Sequence, residues 1–155
     1  MQLETWVAPT GGGAIPNHPR FPVLIYRGVP VGDIERVLAD QGWGGAWTDG
    51  VFDFHHFHST SHEVLAVVAG SATLELGGPQ GESVDVGEGD VLVLPAGTGH
   101  RRAAARDGFT VVGAYPAGQE RYDLLREADD AARERIRALP VPDQDPVGGE
   151  GIGRW

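Results

Sequence analysis

Five of the six histidines fall between His55 and His100, and two of them, His56 and His58, are separated by a single residue. On a strand, positions i and i+2 point to the same face, about 6.5–7 Å apart along the chain. Both imidazoles can therefore converge on one metal ion. Phe52 and Phe54 share that face by alternation and would give the site an apolar floor. Glu63 opens the next apolar run and can bring a hard oxygen ligand, while His100 follows a PAG turn and can add a third nitrogen. Three neutral imidazoles and one carboxylate, with no sulfur, suit Mn, Fe, Co, Ni, Cu or Zn.

Each neighbouring polar residue admits more than one role. His62 would take the ligand position if the spacing after His58 were three residues in place of four. Adjacent strand residues face opposite sides, so a regular strand admits one of the two. Glu63 is taken as the ligand, and His62 as a neighbour of the site that could move a proton. Arg102 shares a face with His100 and either clamps a substrate carboxylate by two parallel hydrogen bonds or lies solvated at an edge. Tyr115 either reaches the mouth as a donor or general acid, or packs in the core. His55 alternates away from His56, and His18, in the loop PNHP, reads as a turn residue. The run READDAARERIR reads as a solvated helix face.

Composition closes off much other chemistry. The 155 residues are 41% hydrophobic, enough for one domain with a full core. Twelve basic and 22 acidic residues give a formal net charge of −10, which argues against nucleic acid and anionic membranes as partners. Every basic residue is Arg, and Lys and Cys are both absent. Disulfides, thiol nucleophiles, Cys-held metals, Schiff bases and a P-loop lysine are thereby excluded. GEGDVL and GTGHRR lack the third glycine of a dinucleotide fingerprint, and no GxSxG elbow occurs. The longest apolar runs are about a third of a membrane span. The opening MQLETWVAPT lacks the basic-then-apolar pattern of a secretory signal, so a cytoplasmic protein is expected.

The elements that must carry these residues are mostly strands. PVLIYRGV, VFDFHHFH, EVLAVVAG, SATLELGG, VLVLPAG and FTVVGAY are rich in β-branched, leucine and aromatic residues, and Gly, Pro or Asp bounds each of them. Many short strands predict a sandwich, jelly roll or closed barrel. Residues 33–41 (DIERVLADQ) predict a short helix with Asp33 as N-cap and Gly42 as stop. Residues 119–139 place Tyr122, Leu125, Ala128, Ala132, Ile136 and Leu139 on one helical face, with a second start at Asp129 and Asp130. Pro140 ends that helix. The Pro- and Gly-rich tail predicts a loop, with Ile152 and Trp155 available to dock on the body.

Read as motifs, Gly50, His56-x-His58, Glu63 and Gly70 resemble the first cupin signature, with gaps of five, four and six residues. Gly89, Pro95, Gly97 and His100 resemble the second. Ala104 stands where the family has Asn, which is not a ligand position. PNHPRFPVLIYRG, QGWGGAW, HHFHSTSHEVLAVVAGSATLELGG, VVGAYPAGQ and DPVGG resemble the YjlB type of small bacterial cupin. The resemblance implies an all-β, cupin-like jelly-roll β-barrel with a short N-terminal helix and C-terminal helices. Residues 1–155 then form a single cupin domain: an N-terminal arm over 1–43, a barrel core over about 44–116, and a helical segment and tail over 117–155. It also implies a mononuclear metal at the barrel mouth and a homodimer.

The expected site is thus His56, His58, Glu63 and His100 around one divalent transition metal, with Fe, Mn or Ni favoured and Zn as an alternative. A small-molecule substrate or ligand is the expected partner. The leading expectation is a metal-dependent enzyme of dioxygenase or oxidoreductase type, with His62, Arg102 and Tyr115 as candidate catalytic residues. A redox-neutral isomerase, epimerase or lyase is an alternative, and would need a proton-transfer residue such as His62, Glu75 or Tyr115. A non-catalytic small-ligand or metal-binding cupin is another.

Overall fold

A computed structural model describes residues 1–11 and 13–155. Among the described residues seven strands carry the fold: β1 (Gln2–Trp6), β2 (Val23–Arg27), β3 (Trp43–Asp49), β4 (Glu63–Leu76), β5 (Glu82–Gly87), β6 (Val91–Leu94) and β7 (His100–Pro116). They follow the order β1-β2-β6-β4-β7-β3 with β5 on β4, and every pairing is antiparallel. Helix α1 spans Ile34–Asp40, helix α2 spans Asp130–Ala138, and a 3-10 turn covers Gly151–Arg154. This is the all-β jelly-roll architecture that the resemblance implies and one of the three that the strand pattern allows.

The long antiparallel pair β4 and β7 organises the rest, and it bends at Gly70. A side chain there would place its β-carbon 2.5 Å from the Arg106 carbonyl oxygen, and φ is +66°, so only glycine fits. The runs EVLAVVAG and SATLELGG, expected as two strands, are therefore one strand with its register irregularity at a glycine. Before the bend β4 pairs with β6, and after it with β5.

The apolar runs are continuous because most of the sheet is covered on both faces. Val23, Ile25, Leu65, Val67, Leu92 and Leu94 enter one core, while Leu24, Tyr26, Val64, Ala66, Val91 and Val93 enter another with Ile34 and Leu38 of α1 and Ile152 of the tail. Each fully buried Val or Leu contributes roughly 1.5–3 kcal/mol. After the bend the pattern alternates: Ala72, Leu74 and Leu76 are buried, while Ser71, Thr73 and Glu75 are half-buried. A third, smaller cluster joins Ile15, Phe57, Ala96 and Ile136 of α2.

Two expectations are corrected. VFDFHHFH does not form a strand: His56 makes a single antiparallel bridge to His100, and Phe57 makes one to Leu125 on the other side. Its neighbours Ser59 and Thr60 turn their backbone N–H groups to the Asp123 carboxylate instead of to a ladder. The C-terminal helix covers Asp130–Ala138 alone, capped by the Asp129 side chain accepting from Ala132 N–H at 2.8 Å. Residues 119–129 are not helical, because their backbone groups bond elsewhere: Leu125 to Phe57 and Ala128 to Ala14. Trp155 docks as expected, donating its indole N–H to the Pro22 carbonyl at 2.8 Å.

Candidate metal centre

His56, His58 and His100 are all buried, and each offers a ligand atom within 4.8 Å of the other two. The imidazole centroids of His56 and His100 are 4.0 Å apart. The single bridge explains this closeness. His56 and His100 exchange both backbone hydrogen bonds, at 3.2 and 3.0 Å, which seats the segment bearing His58 against the start of β7. Asn17 holds the turn before His100, accepting from Gly99 N–H at 3.0 Å and donating to the Pro9 and Gly77 carbonyls.

Each of the three rings is oriented by a backbone carbonyl. Nδ1 of His56 faces the Phe54 oxygen at 3.0 Å, Nδ1 of His100 faces Thr98 at 3.0 Å, and Nδ1 of His58 faces Asp123. A carbonyl can only accept, so Nδ1 carries the proton in each ring and the Nε2 lone pair is left for the centre. Glu63 closes the set. Its Oε2 lies 3.4 Å from His58 Nε2, its Oε1 lies 3.2 Å from His100 Nε2, and it is buried. Oε1 has no hydrogen-bond donor, although it is sealed from solvent.

This donor set fits a divalent transition metal. Three lone pairs and a carboxylate converge in a buried place, and such a collection of acceptors is repulsive unless a cation or proton lies among them. The titration behaviour agrees. Burial, reinforced by the neighbouring His100, pushes the His56 imidazole down to about 3. Burial also lowers His58, but the Glu63 carboxylate beside it outweighs that and raises it. Burial pushes the Glu63 carboxyl up, yet the neighbouring His58 and His100 hold it well below the usual carboxylate range. A proton between His58 and Glu63 and a bound cation are thus alternatives for the same space.

Above this set opens a cavity of about 500 Å3, lined by all four residues together with Arg102, Tyr115, Trp47, Phe52, Tyr122 and Leu124. The Tyr115 hydroxyl donates to Glu63 Oε2 at 2.9 Å and accepts from the Trp47 indole at 2.7 Å. Burial, and then the Glu63 charge, push this phenol well above its ordinary value. Trp47 reaches it by lying over Gly113, where a β-carbon would stand 2.3 Å from the indole. Phe52 stands at the mouth, 54% exposed, stacked on Phe54 and edge-on to His56.

Other sequence candidates lie elsewhere. His62 does not line the cavity: its Nδ1 accepts from Ala96 N–H at 2.9 Å and its Nε2 donates to the Pro140 carbonyl at 3.0 Å. His55 and Glu75 form a separate surface group with Arg101. Ala104 is exposed on β7. Sequence reading missed Asp123, which orients His58 through its carbonyl and holds Ser59 and Thr60 through its carboxylate. It also missed Asn17, Trp47 and the cavity role of Tyr122. No local pattern marks Asp123, which lies 65 positions from His58.

Comparison with known proteins gives the same family. A cupin domain model matches residues 46–112. The uncharacterised protein YjlB of Bacillus subtilis (strain 168) is 36% identical over 155 residues, covering 96% of this chain and 92% of that one. Among solved structures, an acireductone dioxygenase from Bacillus anthracis with cadmium in its active centre aligns at 21% identity, over 57% of this chain and 59% of that one, with a TM-score of 0.42. A DUF861 family protein from Thermotoga maritima aligns at 19% identity, over 61% and 98%, with a TM-score of 0.41. The chain is a small cupin and belongs to the family of the YjlB protein.

Proposed function

We propose that this cupin is a metal-dependent enzyme of the dioxygenase or oxidoreductase type, with His56, His58, Glu63 and His100 holding one Fe, Mn or Ni ion. The observation that carries the reading is the convergence of three Nε2 lone pairs and a donor-less carboxylate oxygen at the base of an open cavity. A structural ion would be closed in on every side, whereas a cavity of about 500 Å3 leaves room for a small molecule beside the ligand set. When bound, a redox-active divalent ion supplies an electron conduit and a template with net charge near +1. The residues of the chain do the rest. The three carbonyls aim the imidazoles, Tyr115 and Trp47 fix the Glu63 carboxylate, the Phe52 and Tyr122 rings exclude water, and Arg102 supplies positive charge at the rim.

The redox-neutral alternative needs a proton carrier in the cavity. Of His62, Glu75 and Tyr115, only Tyr115 lines it, and its raised phenol, bonded to Glu63, is a poor acid. Elemental analysis of untagged protein, followed by oxygen-electrode screening of small organic acids, tests the proposal. One equivalent of iron, manganese or nickel with O2 uptake supports it. Turnover sustained by zinc without O2 would transfer the assignment to the redox-neutral reading. Absence of any metal after reconstitution would remove the centre altogether.

A further inference from the structure

The cavity carries features that the metal ligands do not use. Among the described residues, six large apolar side chains stay exposed, and three of them, Phe52, Tyr122 and Leu124, line this one cavity. Scattered exposed apolar residues need no explanation, but a cluster at the mouth of a concave site marks a ligand with apolar surface. These rings are also held in place. Phe52 stacks on Phe54 at 4.9 Å, and Tyr122 stacks on Tyr115 at 4.2 Å.

Arg102 opens onto the same space. Its backbone N–H bonds the Phe52 carbonyl at 2.9 Å, which starts its side chain beside the apolar cluster. Its guanidinium lies 3.9 Å from the Asp53 carboxylate, beyond hydrogen-bond length, and that carboxylate is largely exposed. The neighbouring Arg101 differs: Glu75 lies 3.1 Å from it, and it donates to the Asp53 carbonyl at 2.9 Å. The Arg102 fork is therefore held only by this long, solvent-exposed contact and can exchange it for a planar carboxylate gripped at two points. Asp49, the acidic residue at the rim, turns one oxygen to Gly50 N–H at 2.7 Å.

We propose that the site takes small organic acids with an apolar body. The carboxylate sits on Arg102, an aromatic or branched aliphatic group lies against Phe52, Tyr122 and Leu124, and a second oxygen faces Glu63 and the three histidines. This rests on the metal-dependent reading above and narrows its substrate class.

Titration calorimetry with phenylpyruvate, pyruvate and phenylacetone tests it, on both zinc-reconstituted and chelator-treated protein. Phenylpyruvate is expected to bind at least about tenfold tighter than pyruvate, which lacks the apolar body, and than phenylacetone, which lacks the carboxylate. Arg102→Gln should cost both acids about tenfold and leave the ketone unchanged. Arg102→Lys, which keeps the charge but not the fork, should recover part of that loss. Tyr122→Ala should cost phenylpyruvate more than pyruvate. Equal binding of the three probes, binding of none, or acids held by Arg102→Gln as well as by the parent would overturn the proposal. Zinc uptake is read separately by elemental analysis. Failed uptake with probe selectivity intact would overturn the metal centre and leave the substrate class standing.

Discussion

Five of the six histidines are buried to a similar degree, yet they form two sets with opposite hydrogen-bond polarity. His56, His58 and His100 each donate from Nδ1 to a backbone carbonyl and turn Nε2 to the cavity. His18 and His62 accept at Nδ1 from backbone N–H groups, of Arg20 and Phe21 in one case and Ala96 in the other. Their rings pack with Phe21 and Trp155 in an aromatic cluster beneath the C-terminal tail. What faces Nδ1 therefore decides the role. A carbonyl leaves the far nitrogen with a lone pair that a metal could use, and an N–H makes it a donor that no metal can use.

The sharpest way to break this division is to remove one member of each set. His58→Ala is expected to abolish stoichiometric metal binding, read by elemental analysis after dialysis. His62→Ala should retain the metal but lose roughly 2–5 kcal/mol of stability in denaturant unfolding, because a buried N–H and carbonyl lose their partner. A folded His62→Ala that lost its metal would dissolve the distinction. Glu63→Gln should weaken metal binding more than His62→Gln does, and the reverse order would give His62 the ligand role.

A smaller effect is expected at Asp123. Asp123→Ala frees the Ser59 and Thr60 N–H groups and loosens the segment bearing His58, so metal affinity should fall about tenfold with little change in stoichiometry. An unchanged dissociation constant would show that the carbonyl alone suffices to aim His58.

The smallest effect is in the pH dependence of stability. Burial first of all holds both His18 and His62 down to about 4, against 6.5 when unfolded. Between those values the unfolded chain binds more protons, so stability falls as pH drops through 6.5 and the loss is complete below about 4. Each ring accounts for roughly 1–3 kcal/mol of that loss. His56 adds to it in metal-stripped protein, carrying the slope toward pH 3. Glu63 acts in the same sense at lower pH: its carboxyl is held below the ordinary range, so its stabilisation is lost as pH falls from the ordinary carboxylate range through its depressed folded value. His18→Gln should flatten the slope between pH 6.5 and 4 without altering metal content, and an unchanged slope would show that His18 titrates normally.

Much of the site was legible because its spacing is short-range. His56 and His58 share a face by period-two alternation, and this holds even though the segment is a pair of single bridges and not a strand. Arg102 shares the His100 face on β7 and does reach the cavity. The fold was legible where both faces of a strand are buried, as in VLIY and VLVL. It was less so for β1, β3 and β5, whose residues are partly exposed and carry weaker apolar signals. Residues 119–129 mimicked a helix because Tyr122, Leu125 and Ala128 have helical spacing. Their backbone partners lie at Phe57 and Ala14, far along the chain.

The residue types and spacing determined the donor chemistry on their own: imidazole and carboxylate, no sulfur and no lysine. Only the tertiary structure decided which histidines present a lone pair, since tautomer depends on backbone groups such as Asp123 and Ala96 that the fold delivers from elsewhere in the chain. It likewise decided that Tyr115 braces Glu63 and that Arg102 is held only by a long contact to Asp53 where Arg101 is paired closely with Glu75. Periodicity reports which face a side chain occupies. Which atom meets it there is a long-range contact, and no local pattern encodes that.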